Sequence, residues 1–219
     1  MKRLSRDSNG FTIAELMIAT AVFGVILLVI ATAILQLSRV YYKGINETRV
    51  QTTARNIIDT LSQAIQFSGG IVTATPASPT PGNSYAFCIG NKQYSYTLGF
   101  QLADSPSASQ TYHALVAKDA AGCTGALAAQ DVRVSGVTGT ELLAPKMRLA
   151  KLEIIPTSTS YYTINVRIVY GDDDLLYSPS SPSDVTGYRR SDAQCRVQQQ
   201  GTQFCAVSEI TAAVAKRVR

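Results

Sequence analysis

Polar and apolar positions are distributed very unevenly along this chain. From Phe11 to Leu35 it reads FTIAELMIATAVFGVILLVIATAIL, with Glu15 the sole charge and Thr12, Thr20 and Thr32 the only other polar side chains. As a helix rising about 1.5 Å per residue, this run extends roughly 37 Å, more than a hydrocarbon core of about 30 Å. The pattern then turns from continuous to periodic. Leu37, Val40 and Tyr41 are followed by Ala54, Ile57, Ile58, Leu61 and Ile65, and the spacing of this last set places one apolar stripe on a helix while Arg49, Arg55, Asn56 and Asp59 fall mainly elsewhere. Residues 36–70 therefore read as an amphipathic continuation of the first helix, with its stripe against a sheet. Ser68-Gly69-Gly70 predicts the stop, because glycine takes the left-handed conformation at a helix end. No proline interrupts the helix, and Gly24 and Gly44 are its softer points.

Farther on, apolar positions alternate. Residues 85–89, 93–102 and 112–117 read as strands, the second through Tyr94, Tyr96, Leu98 and Phe100. Residues 149–155 and 161–170 read as an antiparallel pair, the latter with Tyr162, Ile164, Val166, Ile168 and Tyr170 alternating cleanly. TATPASPTPGN, residues 73–83, reads as a solvated linker, and residues 103–147 and 171–203 as irregular loops. The terminal FCAVSEITAAVAKRVR is either a last edge strand or a short helix. A long helix followed by a modest antiparallel sheet predicts an α+β fold, the helix covering one sheet face.

Candidate chemistry is sparse. His113 is the only histidine among 219 residues, so a multi-histidine metal site is excluded and an imidazole-assisted nucleophile would depend on one side chain. Neither GxxxxGK[ST] nor GxGxxG occurs. No cofactor or enzymatic activity is expected. Asp172-Asp173-Asp174 lacks the alternate spacing of a calcium loop and reads as a solvated turn. Tyr41-Tyr42 and Tyr161-Tyr162 read as packing or interface residues. Asn46-Glu47-Thr48 fits the N-glycosylation pattern but lies within the predicted helix. Of the net charge of +5, Lys2, Arg3 and Arg6 against Asp7 contribute +2. Lys216, Arg217 and Arg219 form a basic tip, but no aromatic stacking array or nucleic-acid motif supports DNA as its partner.

Glu15 is discordant. A charged group at the centre of a membrane helix costs on the order of 2.5 to 3.5 kcal/mol, less near the interface, and calls for a partner. A secretory signal fits poorly, since cutting after Ala21 leaves VFGVILLVI exposed and cutting after Ala33 needs an overlong apolar region with an acid inside it. A plain anchor explains the length but not the carboxylate.

Gly10-Phe11-Thr12-Ile13-Ala14-Glu15-Leu16, between a short basic leader and an unbroken apolar helix, resembles the type IV prepilin superfamily. That resemblance implies that a prepilin peptidase cuts between Gly10 and Phe11, that Phe11 is N-methylated, and that the new Phe11 amine supplies a counter-charge for Glu15, within its own helix or, in an assembly, from a neighbouring subunit. It implies four segments: a cleaved leader (1–10), a transmembrane assembly helix (11–35), an amphipathic helix (36–70) and a β domain (71–219) with a disulfide-bonded C-terminal region. The implied partners are other pilin subunits, the prepilin peptidase, an inner-membrane assembly platform, and the membrane before assembly. The amphipathic helix and long sheet domain look like W-type minor pilins and J-type minor pseudopilins, and the absence of a helix-kinking proline favours a minor subunit. A type II secretion pseudopilin and a single-pass anchored binding protein or enzyme stay open as alternatives. By the positive-inside rule the C-terminal domain lies outside the cytoplasm, where disulfides persist. Cys88, Cys123, Cys195 and Cys205 admit three pairings, of which Cys88 with Cys123 and Cys195 with Cys205 is expected.

Overall fold

A computed structural model describes residues 10–67, 72–76, 79–102, 113–120, 132, 137–158, 160–197 and 201–217. The chain divides into two compact units, Met1–Tyr41 and Tyr42–Arg219. One helix, α1 (Ile13–Phe67), contributes to both. In the first unit, residues 13–41 are exposed apart from half-buried Ser38. In the second, α1 buries Asn46, Val50, Ala54, Ile57, Ile58, Leu61 and Ile65 along one face. The expected stripe of Ala54, Ile57, Ile58, Leu61 and Ile65 is buried in full, and Leu37 and Val40, which precede it, are 71% and 70% exposed.

The expected single sheet is in fact divided. One antiparallel sheet runs in the order β1 (Ser84–Ile89), β2 (Lys92–Thr97), β3 (Leu115–Asp119) and β4 (Thr140–Glu141). β1 and β2 are joined by Gly90-Asn91, with Gly90 at φ 59°, the positive dihedral that suits a tight hairpin. β2 ends at Thr97, short of the expected residue 102, because the chain turns at Gly99. There φ is 80° and a Cβ would come within 2.7 Å of the Arg189 carbonyl oxygen.

The second sheet contains β5 (Met147–Pro156), β6 (Tyr161–Tyr170) and, after the short strands β7 (Leu176–Tyr177) and β8 (Gln194–Cys195), β9 (Ala206–Ala215). β9 settles the open choice at the C-terminal end: it is a strand, paired with β6 from Tyr161↔Ala215 to Tyr170↔Ala206. Two connections join the sheets at the β5 edge. The Thr73 N–H donates to the Cys88 carbonyl at 3.0 Å, and the Ile154 N–H donates to Thr75 Oγ1 at 2.9 Å. The start of the expected linker is therefore extended backbone between β1 and β5, a conformation suited to a proline-rich segment. Gly99 and Leu102 likewise donate to the carbonyls of Leu149 and Met147.

One core results, with the α1 stripe against Phe87, Tyr94, Tyr96 and Leu115 of the first sheet and Leu152, Ile164 and Val166 of the second. Phe87 stacks on Tyr94 at 4.9 Å between ring centres. Burial pushes the Tyr94 and Tyr96 hydroxyls above the usual phenol range, keeping both neutral. A smaller cluster, including Val169, Leu175, Leu176 and Ala193, lies where residues 173–197 cover the opposite face of the second sheet. Arg148 anchors that cover: fully buried, it donates through Nη2 to the Gly171 carbonyl at 2.9 Å and pairs with Asp173 at 2.6 Å. The aspartate run is thus not wholly solvated, since Asp173 compensates a buried charge.

Candidate assembly segment

The start of α1 is organised by Thr12 and Glu15. Both the Thr12 N–H and its hydroxyl donate to Glu15 Oε2 at 2.9 Å, and the Glu15 N–H donates back to Thr12 Oγ1 at 3.3 Å. This reciprocal box satisfies amide hydrogens that the first helical turn leaves unpaired. Thr12 was missed as a cap in the sequence reading, although a Thr-x-x-Glu pattern before an apolar run is its signature. Among the described residues Glu15 Oε1 has no hydrogen-bond partner. The carboxylate is therefore oriented by its own chain while keeping one oxygen to accept a donor from outside.

Beyond this box, the segment hides its remaining hydroxyls. Thr20 donates to the Leu16 and Met17 carbonyls at 3.0 Å, Thr32 to Val29 at 2.9 Å and Ser38 to Ile34 at 2.9 Å. Back-bonding of this kind removes the cost of placing a hydroxyl in apolar surroundings. The outward surface is made by side chains such as Phe11, Met17, Phe23, Leu28 and Leu35. Phe11 is 86% exposed and Gly10 is also exposed, so the Gly10-Phe11 bond is accessible. The helix is long and apolar enough to cross a membrane.

A family model described as the prokaryotic N-terminal methylation motif matches residues 5–31, which contain Gly10, Phe11, Thr12 and Glu15. The chain carries a type IV prepilin-like amino terminus. That motif implies processing by a prepilin peptidase and assembly with other pilin-like subunits, and with the apolar helix it fits a membrane-anchored precursor of a filament subunit. The match ends before Tyr42, where the second unit begins. No curated protein and no solved structure matches the chain.

The remaining sequence-selected residues lie in the second unit. Cys195 and Cys205 form the expected disulfide, with Cα atoms 5.8 Å apart. Cys88 is also disulfide-bonded, while Cys123, its expected partner, lies outside the described residues. Asn46 of the glycosylation pattern is 6% exposed and donates from Nδ2 to the Gln203 carbonyl at 3.0 Å, an arrangement that does not offer its amide for modification. His113 precedes β3 with Nδ1 3.3 Å from Glu141, whose carboxylate accepts the N–H groups of Ala114, Leu115 and Leu143. Glu141 thus fastens β4 to β3. Asp172 accepts from Gln101 and Asp173 from Arg148. Among the described residues, no three His, Cys, Asp or Glu side chains are grouped as metal ligands. At the basic tip, Arg217 lies over the Phe67 ring at 5.7 Å, and Arg219 is outside the described residues.

A cleft of about 460 Å³ is lined by Pro79, Pro81, Leu98 and Leu152 together with Lys151, Glu153, Arg190 and Asp192. Its charges are engaged within the chain: Lys151 pairs with Glu153 at 3.2 Å and Arg190 with Asp184 at 3.0 Å. Asp192 accepts from Ser178 Oγ at 2.7 Å and from the Ser180 N–H at 3.0 Å. Partial burial pushes the Asp192 pKa up, but the Ser180 and Ser178 bonds outweigh it and hold it below the ordinary value. The Thr186 hydroxyl and N–H, helped by Arg190, bring Asp184 down to about 2. These groups lock the 178–192 loop.

Proposed function

We propose that the chain is a minor pilin of a type IV pilus, resembling the W-type subunits, whose work is assembly and not catalysis. The prepilin peptidase cuts between Gly10 and Phe11, Phe11 is methylated, and the inner-membrane platform draws the subunit into a filament outside the cytoplasm. The observation that carries this reading is the conjunction at α1 of the methylation motif, an exposed apolar surface over residues 13–41, and one acid with an oxygen uncommitted among the described residues. Cleavage supplies the counter-charge, because the shortened chain begins with the Phe11 amine. In apolar surroundings an ammonium and a carboxylate attract far more strongly than in water, so a neighbour's Phe11 amine against Glu15 favours one axial stagger between helices. Thr12 holds Oε2 and leaves Oε1 for that contact.

In a host that makes the filament, Glu15→Ala is expected to be cleaved and methylated normally but to be missing from sheared filaments. Incorporation at the unmodified level contradicts the role given to Glu15. The lack of a proline in the apolar run favours a minor subunit over a major one. Recovery of the chain in the pilus, but not in a secretion pseudopilus of the same cell, is the outcome that separates this assignment from a pseudopilin.

A further inference from the structure

The outer side of β9 is open to further hydrogen bonding. The Lys216 N–H donates to the Ser160 carbonyl at 2.7 Å, and β9 pairs with β6 from Tyr161↔Ala215 to Tyr170↔Ala206 without a shift of register. Even-numbered residues of β9 therefore turn their backbone groups toward β6, while Glu209, Thr211, Ala213 and Ala215 turn theirs away. Among the described residues, these outward backbone groups have no hydrogen-bond partner, and all four residues are exposed. Just beyond the strand, the Arg217 N–H donates to the Gln66 carbonyl at 3.2 Å and closes the edge there.

The other edges of the two larger sheets are closed or short. Val72 bridges Ile89 along β1, Thr75 and Gly99 donate to the Ile154 and Leu149 carbonyls along β5, and β4 is two residues long. β9 runs for ten residues without proline or bulge, and its one charge, Glu209, is held by Arg167 at 3.0 Å. Proline, bulges, shortness and free charges are the devices that keep a strand from adding to an edge. β9 has none of them.

An open edge takes an extended backbone, and the residues of β9 indicate whose. Set antiparallel to itself about Ala212, β9 places Glu209 opposite Ala215 of a second copy and Thr211 opposite Ala213, so each outward N–H in 209–215 meets a carbonyl. On the face that covers the core, half-buried Ile210 then lies opposite Val214 and extends the apolar layer. Each Glu209 falls beside the basic end of the other copy, Lys216-Arg217. Parallel self-pairing would instead set acid beside acid and cation beside cation.

We propose that the outer edge of β9 joins two copies of this chain through an antiparallel β9–β9 pair, making one continuous sheet of the two. This goes beyond assembly through α1 and does not rest on it. The full-length chain in detergent micelles tests it by sedimentation and residue-resolved amide exchange. A dimer is expected in which the amides of Glu209, Thr211, Ala213 and Ala215 exchange slowly. On dilution to monomer these four should lose their protection, while Ser208, Ile210, Ala212 and Val214 keep theirs. Ala213→Pro removes an outward donor and no bond to β6, so it should keep the Cys195–Cys205 disulfide and be monomeric. The exchange pattern of the unmodified chain decides the matter even if that variant fails to fold. A chain that stays monomeric overturns the proposal. So does a dimer whose four outward amides exchange freely, which would place the association in α1. A dimer that persists in folded Ala213→Pro overturns it as well, as does protection that appears only when a different pilin-like subunit is added.

Discussion

The two halves of α1 use the same kind of residue for opposite ends. Between residues 42 and 67, apolar side chains recur every three or four positions and disappear beneath two sheets, with Val50, Ala54, Leu61 and Ile65 fully buried. Between residues 13 and 41 apolar side chains surround the helix, and large ones such as Leu16, Phe23 and Leu28 are each more than 60% exposed. Periodic apolar placement is the mark of a helix with one partner surface, while placement all round is the mark of a helix with apolar neighbours on every side. Among the described residues, the first half is exposed apart from half-buried Ser38. It needs lipid or other helices, and the motif that begins it states which process exchanges one for the other.

Substitutions that treat the halves alike should therefore give unlike results. Leu61→Ala is expected to cost about 2 to 5 kcal/mol, read from thermal or denaturant unfolding, because it opens a cavity between the helix and both sheets. A negligible loss would mean that the stripe is not packed as described. Breaking the Cys195–Cys205 bond with a paired serine substitution should cost about 2 to 4 kcal/mol and free the loop carrying Phe204, a change that protease susceptibility near residues 196–204 would register. A smaller effect is expected from acid. The folded Asp184 carboxyl titrates at about 2, below an unfolded aspartate at roughly 3.9. Its contribution is therefore complete above the unfolded value and is lost as pH falls through that window toward the folded one. An Asp184→Asn variant should show a flatter stability profile there, and identical profiles would contradict the bonds drawn to Thr186 and Arg190. Least of all, Leu28→Ala in detergent should move unfolding by no more than about 0.5 kcal/mol, since its side chain is 66% exposed. A loss approaching that of Leu61→Ala would erase the distinction between the halves.

Much of this was legible before the coordinates. The helix and strand β6 announce themselves because their apolar residues are bulky and strictly spaced, and the Glu15 anomaly needs only the cost of a charge in lipid. β9 was ambiguous for the converse reason: Ala206, Ser208, Ala212 and Ala213 are small, and its partner strand, not its own pattern, makes it extended. The way the two larger sheets are linked could not be read, since it depends on Thr73 bonding to Cys88 of β1 and Thr75 to Ile154 of β5. Arg148 is similar: nothing local marks it for full burial, and its compensation by Gly171 and Asp173 exists only after the chain has folded. At the candidate site, Gly10, Phe11 and Glu15 were recognisable through the resemblance to type IV prepilins, whereas the role of Thr12 required the geometry of the first turn.

The central claim is that the exposed half of α1 is released from a leader and then enclosed by sister helices. Intact-mass measurement of the chain recovered from sheared surface filaments tests it most directly. A mass corresponding to a chain that begins at Phe11 and carries one added methyl group is the predicted result. Filaments that lack the chain, with only a species retaining Met1 left in the membrane, would contradict the account.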